Sequence, residues 1–174
     1  MATLLALCLL ACRKEEQAVT SAAQNAVKAE QQAQAAATET DRQRAALAQI
    51  PLPTKSLYID IHDPSAWKNP FLSVSANAIN LRVLMADANP SALGQGTLLR
   101  TESARRQELD IRPGELAEAL VALPAGAWHY GRVVAIAESP LAARKERPLV
   151  RRNVEKAIQQ LNDLGIVVEE WPAR

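Results

Sequence analysis

Three side chains near the middle of the chain have the right chemistry for a reactive site. Asp60, His62 and Asp63 combine two carboxylates with an imidazole, as a metal site or an acid–base pair would require. They stand at the end of an alternating segment, so an exposed strand end is the competing interpretation. A small hydrolase would need them to converge in one cleft, which their spacing does not predict. We therefore assign no catalytic residue, cofactor or metal ligand and expect the protein not to be an enzyme.

Two further groups could form a binding surface. Trp128, His129 and Tyr130 make an amphipathic cluster before a buried strand, although packing at the strand entrance is the simpler reading. A basic stretch follows, and its arginines could meet anionic lipid headgroups or another subunit, or lie in solvent. The binding-surface candidates in this stretch are Arg144, Arg147, Arg151 and Arg152.

Other familiar sites find no support in the sequence. Gly94-Gln95-Gly96 lacks the third glycine and the following helix that a phosphate loop needs, so it is interpreted as a turn. No serine lies in a nucleophile-elbow context, as judged for Ser73, Ser75, Ser91 and Ser103. The net charge is +1 and no basic stripe is interleaved with aromatic residues, which argues against nucleic acid as a partner.

The N-terminal residues suggest where these groups would be displayed. The uncharged apolar run from Ala2 to Ala11 is shorter than the roughly 20 residues that span a bilayer, and it matches the apolar core of a signal peptide. Leu9-Leu10-Ala11-Cys12 resembles the lipobox of bacterial lipoproteins, although no Lys or Arg precedes the run. The resemblance implies a signal peptide over residues 1–11 and lipidation of Cys12. Cys8 is the competing acceptor, and an ordinary first core element is the alternative.

A lipid on Cys12 would place the rest of the chain outside the cytoplasm. Both cysteines, Cys8 and Cys12, lie in the predicted signal, so the predicted mature domain has no disulfide. Arg13 follows the lipidated position, where an Asp tends to retain enterobacterial lipoproteins in the inner membrane. The resemblance therefore implies the bacterial cell envelope as location, at the outer membrane and facing the periplasm.

Residues 12–53 are expected to carry the lipid and then form a stalk. From Arg13 to Gln49 the chain is rich in helix-forming Ala, Gln, Glu and Lys and has no Gly or Pro. A helix of this length would extend about 55 Å. Self-association would be possible through a narrow stripe of small residues, Ala18, Ala22, Ala26, Ala29, Ala33 and Ala36. A partly disordered linker is the alternative. Pro51 and Pro53 end the segment.

Residues 54–174 are predicted to form one mixed α/β domain. Alternating apolar residues predict strands over 56–61, 71–75 and 78–86, and shorter strands over 97–100 and 107–111. A loop is expected over residues 87–96. The spacing of Leu116, Leu120 and Leu123 predicts a short helix that begins at Pro113.

The second half of this domain should alternate strands and helices. Val133 to Ala137 has the pattern of a strand that is covered on both faces. Leu161 and Leu164 should lie on the buried side of a final helix, whereas Gln160 and Asp163 should face water. Gly165 then provides the left-handed cap before a last strand at 166–168. This β-α-β-α-β order predicts parallel strands joined by right-handed crossovers.

Residues 108–171 resemble the periplasmic domain of the ExbD/TolR family. The resemblance rests on Glu115-Leu116 with Ala119-Leu120 in a helix, on Tyr130-Gly131 before Val133-Val134, and on Leu164-Gly165-Ile166 after the last helix. Members of that family couple proton flow to work in the envelope through a transmembrane helix with a proton-binding carboxylate. This chain has a ten-residue apolar run without an acidic residue, so the resemblance implies at most a shared fold.

Together these features predict an envelope lipoprotein that acts as a structural or binding module for another protein or the cell wall. An inhibitor or immunity lipoprotein that inserts a loop such as Asp87 to Gly96 into a toxin is the first alternative, and the small hydrolase is the second.

Overall fold

The computed structural model describes residues 2–85 and 106–172, with the backbone alone up to residue 23. The chain divides into two compact units, Met1–Asp41 and Arg42–Arg174. Helix α1, Ala2–Leu47, makes up the described part of the first unit and continues into the second. The predicted stalk is therefore helical. Its residues 24–38 are all exposed, including Ala26, Ala29 and Ala33, and two threonine hydroxyls donate to carbonyls one turn earlier, at Gln34 and Ala36.

The second unit is built on a five-stranded mixed sheet. Its strands are β1 (Phe71–Val74), β2 (Ile79–Leu84), β3 (Arg106–Ile111), β4 (Val133–Glu138) and β5 (Val167–Trp171), and they lie in the order β3-β2-β1-β4-β5. β1 and β3 are antiparallel to β2, whereas β4 is parallel to both β1 and β5. The mixed α/β fold class predicted from the sequence is confirmed.

Two helices of this unit follow β3 in the chain. A 3₁₀ turn, Pro113–Glu115, leads into α2 (Leu116–Val121), and α3 runs from Arg147 to Asp163. They contribute to a largely aliphatic cluster that includes Leu72, Val74, Val134 and Ile136 from the sheet. We call this side of the sheet the helix-covered face.

The end of α3 follows the predicted pattern closely. Leu161 and Leu164 are fully buried, and Gly165 adopts a positive φ of 74°. The Ile166 amide donates to the Leu161 carbonyl at 2.9 Å, and the Gly165 amide donates to the Asn162 carbonyl at 2.9 Å. These two bonds form a Schellman motif, which satisfies carbonyls at the helix end and turns the chain into β5. Asp163 is exposed as predicted, whereas Gln160 is partly buried.

The predicted strand at 56–61 is wrong. Residues Lys55–Leu57 form a 3₁₀ turn, and further turns follow. A half-buried strand would bury Leu57 and Ile59 on one face, yet both are about half exposed while Tyr58 between them is buried. Burying one large aromatic ring removes more apolar surface from water than burying either aliphatic side chain, so the ring determines which way the segment faces.

Strand adjacency also differs in part from the sequence prediction. β4 and β5 are parallel neighbours on either side of α3, as expected. β3, however, pairs only with β2 among the described strands, and β2 and β1 separate it from β4. A hairpin places β2 beside β1, and β3 pairs with the other edge of β2. The connection from β3 through α2 must therefore pass β2 and β1 before β4 begins. The loop at 87–96 and the strand at 97–100 lie outside the described residues.

The compact unit begins upstream of the predicted start at residue 54. Leu47, in the last turn of α1, is 1% exposed and belongs to the helix-covered core. The Arg132 amide donates to the Pro51 carbonyl at 2.8 Å, and the Thr54 amide donates to the Tyr130 carbonyl at 3.3 Å. Residues 47–54 therefore pack against the α/β unit rather than linking it to the helix.

Candidate functional site

The opposite side of the sheet, which we call the aromatic face, carries two transverse rows of side chains. Residues that are register partners in neighbouring strands point to the same side of a sheet. One row contains Glu108, Arg82, Phe71, Ala135 and Glu169, and the second contains Asp110, Asn80, Ser73, Ala137 and Trp171. The face is thus polar at β3 and β2 and small and apolar at β4. It ends at β5 in a carboxylate beside an indole.

Residues 55–70, which contain no strand, cover part of this face, and we call them the covering segment. Tyr58 and Trp67 come from the segment and stack against Tyr130, with ring centroids 5.2–5.9 Å apart. Trp171 at the end of β5 extends the cluster, because its ring centroid lies 5.5 Å from that of Trp67 and 5.6 Å from that of Phe71. Most of these rings meet edge to face, the arrangement that their quadrupoles favour.

Asn69 fixes the covering segment to the sheet. Its buried amide donates to the carbonyls of Gly131 and Val133 at 2.7 and 2.8 Å and accepts from the Tyr130 amide at 2.8 Å. Gly131 has a φ of 85°, and a Cβ there would lie 2.7 Å from the Leu52 carbonyl oxygen. Only glycine therefore allows this close approach of two backbone segments.

Arg82 is the central charge of the aromatic face. Its guanidinium lies 4.6 Å from the centroid of the Phe71 ring, and its Nη2 donates to the Pro64 carbonyl at 2.6 Å. Arg106 on the neighbouring strand donates to the next carbonyl, that of Ser65, at 2.7 Å. Burial, and secondarily the positive charge of Arg106, lower the pKa of Arg82 from its ordinary value. Arginine remains charged near neutral pH all the same, so the face keeps a partly buried cation.

A cavity of about 220 Å³ opens beside this arginine, and we call it the Arg82 pocket. Its lining is largely apolar, from the rings of Phe71 and Trp171 and from prolines. The full lining is Pro64, Phe71, Ser73, Arg82, Ala137, Glu138, Pro140, Trp171 and Pro172. The pocket includes the carboxyl ends of the parallel strands β4 and β5, the edge at which open α/β sheets often bind ligands.

A second cavity of about 210 Å³, which we call the Tyr58 pocket, shares Trp171 with the first. It is lined by Lys55, Tyr58, Ile59, Ile61, His62, Trp67, Glu169 and Trp171. Burial first, and then the charge and hydrogen bond of Glu169, raise the pKa of Tyr58, because both disfavour the phenolate.

A third cavity of about 310 Å³ lies between the end of α1 and the turn after α2. Leu47, Ile50, Val121, Leu123 and Trp128 supply its apolar lining. The Trp128 indole nitrogen is buried without a hydrogen-bond acceptor in the described part of the chain. This cavity holds no ionisable side chain, so its lining favours apolar groups and provides little chemical selectivity.

The structure separates the predicted aromatic cluster rather than presenting it as one surface. Trp128 is buried in the helix-covered core, Tyr130 is buried in the aromatic cluster, and only His129 between them is exposed. The two rings lie on opposite sides of the sheet and anchor the entrance to β4. Packing, the alternative interpretation from the sequence, therefore describes Trp128 and Tyr130.

The predicted basic stretch lies on and before α3. Arg144, Arg147, Arg151 and Arg152 are all exposed. Arg151 forms ion pairs with Glu155 one turn along the helix and with Glu170 on β5. The Arg152 Nε donates to the Pro148 carbonyl at 3.3 Å. Arg151 is thus engaged in local pairs, and the stretch forms a solvated surface.

The third predicted group does not form a cleft of its own. Asp60, His62 and Asp63 are exposed, and the Asp63 carboxylate accepts the Ser65 amide at 2.8 Å in a local turn. Among the described residues no cluster of His, Cys, Asp and Glu could hold a metal ion. No helix in the described part of the chain is long and apolar enough to cross a bilayer.

Arg82, Glu169, Trp67 and Trp171 are the site residues that the sequence did not indicate. The alternation over residues 78–86 places Arg82 on the polar side of its strand, but nothing in the sequence identifies that side as a second packed face. Trp67 and Trp171 stand just outside apolar runs, and aromatic residues at strand ends are the one signal that could have drawn attention to them.

Comparison of the chain with protein-family models, curated protein sequences and solved structures gives no match. The resemblance of residues 108–171 to the ExbD/TolR family and the lipoprotein assignment therefore stay predictions. The geometry of the aromatic face carries the functional argument.

Proposed function

We propose that this protein is an envelope lipoprotein whose α/β unit binds another envelope protein or the cell wall. One observation carries the binding role: the Arg82 pocket on the aromatic face places a partly buried arginine beside the rings of Phe71 and Trp171. Cys12 would provide the lipid anchor and α1 the stalk. Catalysis is not part of the proposal.

The membrane anchor is supported by the lipobox-like Leu9-Leu10-Ala11-Cys12. Each buried CH₂ of an acyl chain contributes about 0.8 kcal/mol, and stable anchoring takes two or more lipid signals. The acyl chains of a mature lipoprotein meet that requirement. The exposed helix over residues 24–38 supports a stalk, since a helix that is polar and solvated on all sides can bridge between separate bodies.

The Arg82 pocket supports a role in recognition. Its volume of about 220 Å³ is below the roughly 300–1,000 Å³ of clefts for drug-sized ligands, so it fits one or two side chains of a partner. Trp171 and Phe71 supply apolar contact area, and Arg82 adds directional donors. Aromatic residues and arginine are the residue types that dominate binding energy at protein interfaces.

Lipidation can be tested by labelling cells with radioactive palmitate. The unmodified chain and Cys8→Ser should both incorporate label and fractionate with membranes, whereas Cys12→Ser should do neither. Label retained on Cys12→Ser would exclude the proposed anchor. Transfer of the label to Cys8 would be detected as its loss in Cys8→Ser.

Binding through the Arg82 pocket can be tested with a photo-crosslinking amino acid at Ser73 in living cells. We expect a defined adduct, either with an envelope protein or with cell-wall fragments released by muramidase. The same amino acid at exposed Asn162, in the last turn of α3, provides the matched control. Equal adducts at the two positions, or none at Ser73, would contradict the proposal.

No structural observation favours the alternatives. The loop of the inhibitor hypothesis, Asp87 to Gly96, lies outside the described residues. The side chains that the hydrolase hypothesis needs are exposed on the covering segment.

A further inference from the structure

The Tyr58 pocket combines aromatic walls with a carboxylate. Tyr58, Trp67 and Trp171 line it, and the successive rings stand nearly perpendicular, with interplanar angles of 85° and 71°. Rings that meet at such angles form a corner rather than a flat stack. Glu169 lies in the same lining. Trp171, two residues further along β5, contributes one of the walls.

This combination is suited to an organic cation. The face of an aromatic ring carries negative charge density, so ammonium groups are attracted to Trp and Tyr faces, and cages of such rings recognise quaternary ammonium ligands. A carboxylate within the pocket adds a charge that a neutral ligand could not use.

The rest of the lining points to a second feature of the ligand. Lys55 and His62 also border the pocket, and both are exposed residues of the covering segment. The lysine ammonium repels a cationic group of the ligand but attracts an anionic group at the same opening. A ligand with an ammonium group and a neighbouring anionic group matches both charges.

We propose that the Tyr58 pocket binds a zwitterionic ligand, whose alkylated ammonium lies against the partly exposed Trp171 ring beside Glu169 and whose phosphate or carboxylate faces Lys55. The cavity of about 210 Å³ fits such a headgroup-sized ligand. The inference goes beyond the proposed function, because it concerns a different pocket and does not depend on lipidation.

The decisive experiment compares a cation with its neutral isostere on the unmodified chain. Choline, phosphocholine and 3,3-dimethylbutan-1-ol should be titrated while the indole N–H signals are followed by NMR. We expect choline to shift the signals of Trp67 and Trp171 and to leave Trp128, on the other side of the sheet, unchanged. The neutral alcohol should bind about tenfold more weakly. Equal affinity for choline and the alcohol, or no shift with choline, would overturn the proposal.

Variants then separate the two charges of the ligand. Glu169→Gln should weaken choline about tenfold at unchanged melting temperature. Glu170→Gln is the matched control, because the next residue faces the other side of β5 and pairs with Arg151. Lys55→Ala should weaken phosphocholine but not choline. Unchanged binding in Glu169→Gln would refute the role of the carboxylate. If that variant unfolds, the comparison with the isostere still decides.

A lipid headgroup and a soluble zwitterion both present this chemistry. Vesicles of phosphatidylcholine and of phosphatidylglycerol distinguish the two sources, with the Cys12→Ser chain used so that no acyl anchor contributes. Flotation with phosphatidylcholine alone would assign a lipid, whereas binding of free phosphocholine without flotation would assign a soluble ligand. Binding of neither would reject the site.

Discussion

The two faces of the sheet are built from different materials. The helix-covered face is packed with aliphatic side chains such as Leu72, Val134 and Leu161, which are fully buried. The aromatic face is covered only by a segment of turns, and its rings leave two open pockets. Aliphatic chains fill space closely between regular elements, whereas large rigid rings leave gaps at their edges. We infer that the first face provides stability and the second provides recognition.

The largest test of this comparison is a truncation. A chain that begins at Thr54 lacks Leu47 and the Pro51 carbonyl that accepts the Arg132 amide. It should lose at least the roughly 2–5 kcal/mol of a buried leucine deletion, plus about 1 kcal/mol for the hydrogen bond. A chain that begins at Arg42 should keep its stability in urea denaturation. Equal midpoints for the two chains would show that the end of α1 does not stabilise the core.

The next test breaks the helix-covered face alone. Leu161→Ala should lower the free energy of unfolding by about 2–5 kcal/mol, since Leu161 is fully buried between α3 and the sheet. Gln159→Ala, on the exposed side of the same helix, should stay within about 0.5 kcal/mol. Ligand shifts at Trp171 should persist in both variants under native conditions. Similar denaturation midpoints for the two variants would mean that α3 is not packed as described.

A smaller effect should arise on the aromatic face from Asn69. Asn69→Ala removes the bonds to the Gly131 and Val133 carbonyls and leaves the buried Tyr130 amide without this acceptor, at about 1–3 kcal/mol. The variant should also weaken binding in both pockets, because the covering segment is released. Exposed Asn162→Ala is the control and should change neither stability nor binding.

The smallest effect concerns alkaline pH. The pKa of Tyr58 is raised in the folded state, so the unfolded chain releases this proton first as the pH rises. Stability from this source is complete below the ordinary tyrosine pKa of about 10 and is lost as the pH rises through the folded pKa. Tyr58→Phe should therefore show a shallower decline in denaturation midpoint above about pH 10 than the unmodified chain. A steeper decline in the variant would contradict the assigned burial.

The sequence predicted the helix-covered face far better than the aromatic face. Leu116, Leu161, Leu164 and Gly165 follow helical spacing and cap rules that depend on neighbouring residues, so local patterns were sufficient. The apolar run from Val133 to Ala137 likewise predicted a strand that is buried on both sides. The β-α-β-α-β order was correct, but the position of β3 depends on a hairpin pairing that the order of elements does not specify.

The candidate site depends on contacts that no local pattern encodes. Trp67 contacts Trp171 from more than a hundred positions away in the chain, and Asn69 fixes the covering segment through bonds to residues 130–133. The Leu57 and Ile59 alternation gave the wrong face because the ring of Tyr58 had a better place to pack. Trp128, His129 and Tyr130 are adjacent in sequence, yet the turns before β4 direct the two rings to opposite faces of the sheet.

The distribution of indoles gives the molecule a built-in optical readout. Trp67 and Trp171 lie on the aromatic face, whereas Trp128 lies in the helix-covered core with no hydrogen-bond acceptor for its nitrogen in the described part of the chain. Indole fluorescence depends on the polarity of its surroundings. The fluorescence of Trp128 therefore reports on the helix-covered face, and that of Trp67 and Trp171 reports on the aromatic face. Two variants, one with Trp128→Phe and one with Trp67 and Trp171 both replaced by Phe, leave tryptophan on one face only. Urea titrations of the two would show whether both faces unfold at the same midpoint.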